Sequence, residues 1–351
     1  MIPASPKRIA LVLGGGGLKG FAHIGVLRAL QERGITPDLY AGTSIGALIS
    51  AASAGGMSTA EMTRRAKTLH RRDLFRLNHM GMLLDRIRSP SIYMEEPLRA
   101  LCMAVAPAGT FEDLGTPVLV NTVDLERGTQ IVWGRPGLRD VPVADAVYAS
   151  CALPGFFPPG RVDGRTCIDG GTIDNLPVSI AAQGMDAVIA VDVGNADLTH
   201  ATDVASQGLG SIFMRAASVM MHALQQGSLE RWQGPPMILI RPRVGQFGWF
   251  NFAHTDDIIS EGYRSACAAL EHFDECIAAP SGVFPRRRVR LTVKRDQCTG
   301  CGVCVAQAPS LMGLDRLGKA YALTDVLDWS PADGDFVNHC PTGALAVQRV
   351  A

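Results

Sequence analysis

The sequence predicts an α/β fold with a largely parallel sheet, followed by a small second unit. Three observations carry this. Ile9 to Leu13 is an apolar run of strand length that leads into the glycines Gly14 to Gly17 and then into Phe21 to Arg33, where Ile24, Leu27 and Leu30 recur at helical spacing. The pattern repeats at once, with Pro37 to Thr43 reading as a strand and Ser44 onward, through Ala47 to Ala54, as a helix. The composition then changes at Ala279-Pro280-Ser281-Gly282, beyond which a basic run and four closely related cysteines appear.

The remaining elements follow in order. The first helix stops at Gly34, a residue suited to a helix C-terminus. Met57 to Leu101 is mostly helical in pattern, with a loop at Arg88-Ser89-Pro90. Within it, Leu74 to Tyr93 mixes Met80, Met82, Leu83 and Leu84 with basic residues, which fits a packed helical hairpin or the cover of a lipid-accepting cleft; pattern alone favours the hairpin. Pro117 to Val123 and Gln130 to Trp133 read as strands, and Val143 to Cys151 as a helix. Ala187 to Val193 is the clearest buried strand. Ile212 to Leu229 is an amphipathic helix, Met237 to Ile240 a strand, and Asp256 to Ala278 a final helix. Gln246 to Phe252 is the one aromatic cluster, open to bilayer insertion or core packing, with packing favoured. The boundaries expected are a first domain over 1–280, a basic linker over 281–289 and a second domain over 290–351.

Composition narrows the function. The chain of 351 residues is 47% hydrophobic and 19% charged, so it can bury a substantial core. Its formal net charge is zero, which gives no global pull toward nucleic acid or an anionic membrane. No apolar stretch reaches the roughly 18 residues of a spanning helix, and Lys7 to Leu13 runs into glycines with no cleavage site, so it reads as a strand and the expected location is cytoplasmic.

Gly42-Thr43-Ser44-Ile45-Gly46 has the pattern of a nucleophile elbow, a sharp strand-to-helix turn that exposes a serine hydroxyl beside the positive end of a helix. The upstream loop Gly14 to Gly20 admits two readings. Gly15, Gly17 and Gly20, with Asp38 further on, fit a dinucleotide loop; the same backbone N–H groups fit an oxyanion hole. A phosphate-binding P-loop is excluded because Gly20, not Ser or Thr, follows Lys19. The serine motif selects the oxyanion hole, because two successive strand–turn–helix units set loop and serine on neighbouring strand ends. No histidine lies in a glycine- or proline-framed turn; His23, in the first helix, reads as a core or surface residue. Asp169, ending a short strand before Gly170-Gly171, is the candidate base, since a partly desolvated carboxylate can take a serine proton directly.

These three motifs, in this order, resemble the bacterial members of the patatin-like phospholipase family, and Ala149-Ser150-Cys151-Ala152-Leu153-Pro154 and Asn175-Leu176-Pro177 are similar to family segments as well. The resemblance spans about residues 7–278. It implies a three-layer α/β/α hydrolase domain and a lipid acyl hydrolase working through an acyl-serine intermediate, with Ser44 as nucleophile and Asp169 as base, without histidine. It implies an oxyanion hole from the N–H groups of Gly15, Gly16 and Gly17, joined by Ile45. Lys19 stands at the loop, with two roles open: favouring an anionic head group, or forming a structural salt bridge. Gly14 stands where some members carry aspartate.

In the second unit, Cys298-x-x-Cys301-x-x-Cys304 with Cys340-Pro341 has the thiolate spacing of an iron–sulfur cluster. Ala308-Pro309 occupies the place where a two-cluster ferredoxin has its further cysteine, so Cys340 completes one [4Fe–4S] cluster. Zinc fits poorly, because three cysteines in succession at this spacing are unusual for it. Residues from about 288 to 351 resemble a small α+β bacterial ferredoxin, with Arg290 to Val293 and Ala344 to Val350 as outer strands. Cys102, Cys151, Cys167, Cys267 and Cys276 read as isolated buried thiols. The basic run Pro285 to Arg288 reads as a solvated linker and first strand, ahead of docking to an acidic partner or to lipid head groups. The expectation is a hydrolase of lipid or acyl esters, in contact with the inner face of the membrane, whose cluster transfers electrons to a redox partner protein, gives redox control or staples the small domain, with the first two favoured. The rival is a non-enzymatic redox-sensing or lipid-binding protein in which the hydrolase fold is a docking scaffold.

Overall fold

The computed structural model describes residues 7–78, 91–194, 206, 208–333 and 335–350. The expected loop at Arg88-Ser89-Pro90 and the residues Met80, Met82, Leu83 and Leu84 lie outside the described residues.

A nine-stranded sheet is built from β1 (Ile9–Leu13), β2 (Leu39–Thr43), β3 (Val118–Asp124), β4 (Thr129–Trp133), β5 (Gly160–Val162), β6 (Arg165–Asp169), β7 (Ala187–Val191), β8 (Met237–Ile240) and β9 (Val283–Phe284). The order is β5-β6-β3-β2-β1-β7-β8-β9, with β4 paired to β3. The run from β3 to β9 is parallel, and β4, β5 and β6 are antiparallel additions at one end. The longer helices are α1 (Ala22–Glu32), α2 (Ile45–Ala54), α3 (Thr59–Thr68), α4 (Glu95–Val105), α5 (Val143–Cys151), α6 (Leu209–Glu230), α7 (Thr255–Ala269) and α8 (Phe273–Ala278).

The central strands are apolar on both faces because both faces are covered. Leu11, Leu13, Ile189 and Ile240 pack with residues of α1, α2, α5 and α7; Ala10, Val12, Val188 and Leu239 point the other way, toward Leu176, Val178 and Leu229 of α6. This alternation within single strands is what makes three layers. Among the described residues no helix is long and apolar enough to cross a membrane.

The structure departs from the sequence reading in three places. The final helix is two helices, α7 and α8, interrupted at Leu270 to His272, where the chain makes a turn closed by the Phe273 N–H on Leu270 O. Residues 281–289 are not a free linker. Val283 and Phe284 complete the edge of the large sheet, and a further strand, β10 (Arg287–Val293), already begins within the stretch. Third, β10 (Arg287–Val293) is the middle strand of the small sheet, not an outer one, with β13 (Val326–Trp329) on one side and β14 (Leu345–Arg349) on the other. A separate hairpin pairs β11 (Met312–Leu314) with β12 (Ala320–Ala322).

The two units are docked. Gln226 on α6 donates to Ala332 O at 2.9 Å, Arg241 donates to Pro331 O at 2.7 Å, and the Ser330 hydroxyl donates to Val283 O at 3.0 Å. Ala332 is itself buried in the cluster of apolar residues beneath α6.

Candidate active site and cysteine cavity

The reversal of strand order about β1, with β2 on one side and β7 on the other, opens a crevice at the C-terminal strand ends. The glycine loop leaves β1 there, and Ser44 leaves β2. Ser44 has φ 56° and ψ −128°, a conformation that costs a non-glycine residue on the order of 1–3 kcal/mol. The flanking glycines make it affordable. A Cβ on Gly42 would sit 2.4 Å from the Gly46 carbonyl carbon, and one on Gly46 would sit 2.0 Å from Leu13 O. Strand and helix approach too closely for any side chain there, which is why the motif has glycine at both positions.

The turn is fastened from a distance. The Ser44 N–H donates to Ser150 Oγ at 2.9 Å, and the Ser150 hydroxyl donates to Asn121 O at 2.6 Å. The Asn121 side chain donates to Asp174 O at 2.6 Å and Gly170 O at 3.2 Å, on either side of the turn that follows Asp169. Asn121 and Ser150 are both fully buried. One buried network therefore ties the elbow to the aspartate loop.

Asp169 lies opposite Thr122 in the β3–β6 register, level with the end of β2. Its Oδ1 accepts the Gly171 N–H at 2.8 Å. Burial raises its carboxyl from about 3.8 to about 6, against the hydrogen bonds from the Gly171 N–H and the Ser44 hydroxyl that favour the ionised form. The structure thus places the Ser44 hydroxyl within hydrogen-bonding reach of Asp169.

The oxyanion expectation needs one correction. The Gly15 N–H is engaged by Asn175 O at 3.2 Å, and Gly14 and Leu18 donate to Val191 O and Trp249 O. Gly15 serves to anchor the loop. The amides of Gly16, Gly17 and Ile45 have no partner among the described residues, and Ile45, as the first residue of α2, directs its N–H out of the helix end. The Asn175 side chain also donates to Gly15 O at 3.1 Å, and His23 holds Gly14 O at 2.8 Å through Nε2. Burial lowers His23 to about 4, so it is neutral near pH 7 and its Nε2–H is the donor. His23 is a core residue, as expected, with a particular duty to the loop.

Lys19 is completely buried, with its ammonium 5.4 Å from the Trp249 ring centre, and it does not line the cavity. That placement corrects the head-group role: the charge faces the interior.

Ser44 and Asp169 open onto a cavity of about 120 Å³ whose walls are almost wholly apolar, among them Leu48, Leu74, Phe75, Leu98, Trp249 and Phe250. Leu74 and Phe75 lie in the stretch where a lipid-accepting cleft competed with a packed hairpin. Trp249 and Phe250 come from the aromatic cluster, and their role in the wall was missed because it depends on the loop after β8 folding back onto the glycine loop, where Leu18 donates to Trp249 O. Cys151 also lines the cavity. It is not isolated: its thiol is hydrogen-bonded with Cys102, and that contact, then burial, holds it well above its ordinary value.

In the second unit, Cys298, Cys301, Cys304 and Cys340 line one cavity with Gly300 and Gly302 between them, both at φ 74°. The Ala320 N–H points at Cys298 Sγ at 3.4 Å and the Ala344 N–H at Cys340 Sγ at 3.3 Å. Burial of Cys340 opposes its ionisation, but the Thr342 hydroxyl and the N–H groups of Thr342, Ala344 and Leu345 outweigh it and leave the thiol below its ordinary value. Among the described residues no three His, Cys, Asp or Glu side chains converge as on a single ion. Four thiols around a shared space, with amides aimed at sulfur, fit a cluster.

The first unit is thus a mainly parallel α/β protein with a serine elbow facing a carboxylate. Residues 11–182 match the family described as patatin-like phospholipase, and this part of the chain belongs to it; residues 291–347 match the 4Fe-4S single cluster domain. An uncharacterized NTE family protein of Mycobacterium tuberculosis is 36% identical over 201 residues, which cover 57% of this chain and 53% of that one. Lysophospholipase NTE1 of Mycosarcoma maydis is 32% identical over 297 residues, covering 78% of this chain and 15% of the relative. The chain therefore spans about half the length of the first relative and a small part of the second. The crystal structure of VipD from Legionella pneumophila aligns with a TM-score of 0.43 at 18% identity, over 76% of this chain and 67% of that one.

Proposed function

We infer that the protein is a lipid acyl hydrolase using a Ser44–Asp169 dyad. The observation that carries this reading is the apolar cavity with Ser44 and Asp169 on its wall. An acyl chain in it would set its ester carbonyl at the serine. Asp169 takes the Ser44 proton as Oγ attacks the carbonyl carbon. The amides of Gly16, Gly17 and Ile45 hold the charge that develops on oxygen, where loss of one donor typically costs about 10²–10³ in rate. The proton passes from Asp169 to the departing alcohol, leaving acyl-serine; water, deprotonated by Asp169, then releases the acid. The name of the fungal relative, a lysophospholipase, supports a phospholipid or lysophospholipid substrate. Cys298, Cys301, Cys304 and Cys340 would hold one [4Fe–4S] cluster, which supplies one-electron chemistry for redox control or for transfer to a partner protein.

The test is covalent. A serine-directed fluorophosphonate is expected to label the native protein and not Ser44→Ala, with ester cleavage lost in parallel. Unchanged labelling of Ser44→Ala excludes Ser44 as nucleophile. Absence of labelling in native protein, oxidised and reduced, favours a scaffold without catalysis.

A further inference from the structure

A groove of about 740 Å³ runs along the seam of the two units, lined by Arg241, Arg243, Arg264, Glu261, Arg287 and Trp329. We propose that it docks the phosphate groups of an anionic phospholipid surface. The charges do not cancel. Arg264 pairs with Glu261 at 2.6 Å, and Arg241 pairs with the buried Asp192 at 3.2 Å while donating to Pro331 O. Glu261 is further occupied by the Arg243 N–H at 3.1 Å and the Ser265 hydroxyl at 3.0 Å. Arg243 and Arg287 are both exposed, and among the described residues neither side chain has a carboxylate within ion-pair distance. Two guanidinium groups therefore face the groove with a net charge, in the fork geometry that suits phosphate.

The position favours a lipid surface over a soluble anion. Arg241 and Arg243 follow β8, so the groove lies on the same C-terminal edge of the sheet as Ser44 after β2. The two are three strands apart, roughly 14 Å. A single segment joins them: it starts at Arg241 in the groove and reaches Trp249 and Phe250 in the cavity wall. Head groups resting on Arg243 and Arg287 would hold the cavity side against the source of acyl chains. Both units build the groove, since Arg287 and Trp329 belong to the small sheet. The use made of the site rests on the acyl hydrolase reading; the binding itself does not.

Binding is therefore measured in cluster-loaded full-length Ser44→Ala protein, by co-sedimentation with vesicles of phosphatidylcholine alone or mixed equally with phosphatidylglycerol. Preference for the mixed vesicles is expected. The double substitution Arg243→Gln with Arg287→Gln should weaken that partition about 30-fold, from roughly fivefold per cationic side chain near an anionic surface, and flatten its salt dependence. In a Ser44-intact background the double variant should cleave a soluble short-chain ester at the native rate, which shows that it is folded. Equal partition of the two proteins, or equal binding to both vesicle types, overturns the proposal. So does competition in which inorganic pyrophosphate binds the groove without any vesicle preference. Failure of the native protein to cleave any ester counts against the hydrolase reading and leaves the vesicle result to be judged by itself.

Discussion

Asp169→Asn is expected to abolish ester hydrolysis and, at the same time, to stabilise the protein at pH 8. The two effects have one cause. Burial lifts the carboxyl from 3.8 to about 6 in the folded state, so folding disfavours the charged form. Between those values the folded protein holds a proton that the unfolded chain has released. Stability therefore falls as pH rises through that window, and the whole cost is present above pH 6. The shift corresponds to about 3 kcal/mol. Asparagine keeps an oxygen for the Gly171 N–H and carries no charge, so the variant should match the native protein near pH 4 and exceed it by about 2–3 kcal/mol at pH 8 in denaturant unfolding. It cannot accept the Ser44 proton, and hydrolysis should drop by about 10⁴ or more, on the scale of losing a general base and its electrostatics together. The native enzyme should show an acidic limb in kcat/KM with an apparent pKa near 6. A flat profile from pH 5 to 8, or an asparagine variant that is less stable at pH 8, would remove Asp169 as the buried base.

The parts of the site that were legible in the sequence are those fixed by local backbone geometry. Gly42 and Gly46 are required where strand and helix touch, so the elbow is written in five consecutive residues. Asp169 is marked by the glycines that let the chain turn directly after it. The supports were illegible because their partners are remote. Ser150 reaches Ser44 across 106 residues, and the Asn175 side chain reaches Gly15 across 160. The same separation explains the misassigned donor: nothing near Gly15 in sequence says that Asn175 O will occupy its N–H. Lys19 looked like a site residue because it stands in the motif, and only packing reveals that its ammonium is turned inward beside Trp249. In the fold, the parallel core followed from apolar runs between glycine turns. The two-residue strand β9 was hidden in a Pro- and Arg-rich stretch, since its pairing depends on the edge that β8 offers.

Replacing cysteines of the second unit should be felt in the first. Among the described residues Cys298 and Cys304 belong to the buried small core and Cys340 packs against it, so Cys298→Ser with Cys340→Ser is expected to remove the visible absorbance and iron and to loosen the second unit as a whole. What that unit leans on is α6. Gln226 donates to Ala332 O at 2.9 Å, and the His222 ring lies 6.4 Å, edge to face, from that of His339, the neighbour of Cys340. Gln225, next to Gln226, faces the other way and meets the Asn175 side chain at 3.4 Å, the same side chain that holds Gly15 O at 3.1 Å. One helix thus stands between the cysteine cavity and the glycine loop. Releasing it should speed amide hydrogen exchange along α6 and in Gly14 to Gly20, and lower ester hydrolysis roughly tenfold, the scale of one hydrogen bond of about 1.4 kcal/mol. The exchange measurement decides the matter without reference to activity. Faster exchange confined to residues 287–350, with α6 and the glycine loop unchanged, would mean that the second unit is carried by the first and does not brace it.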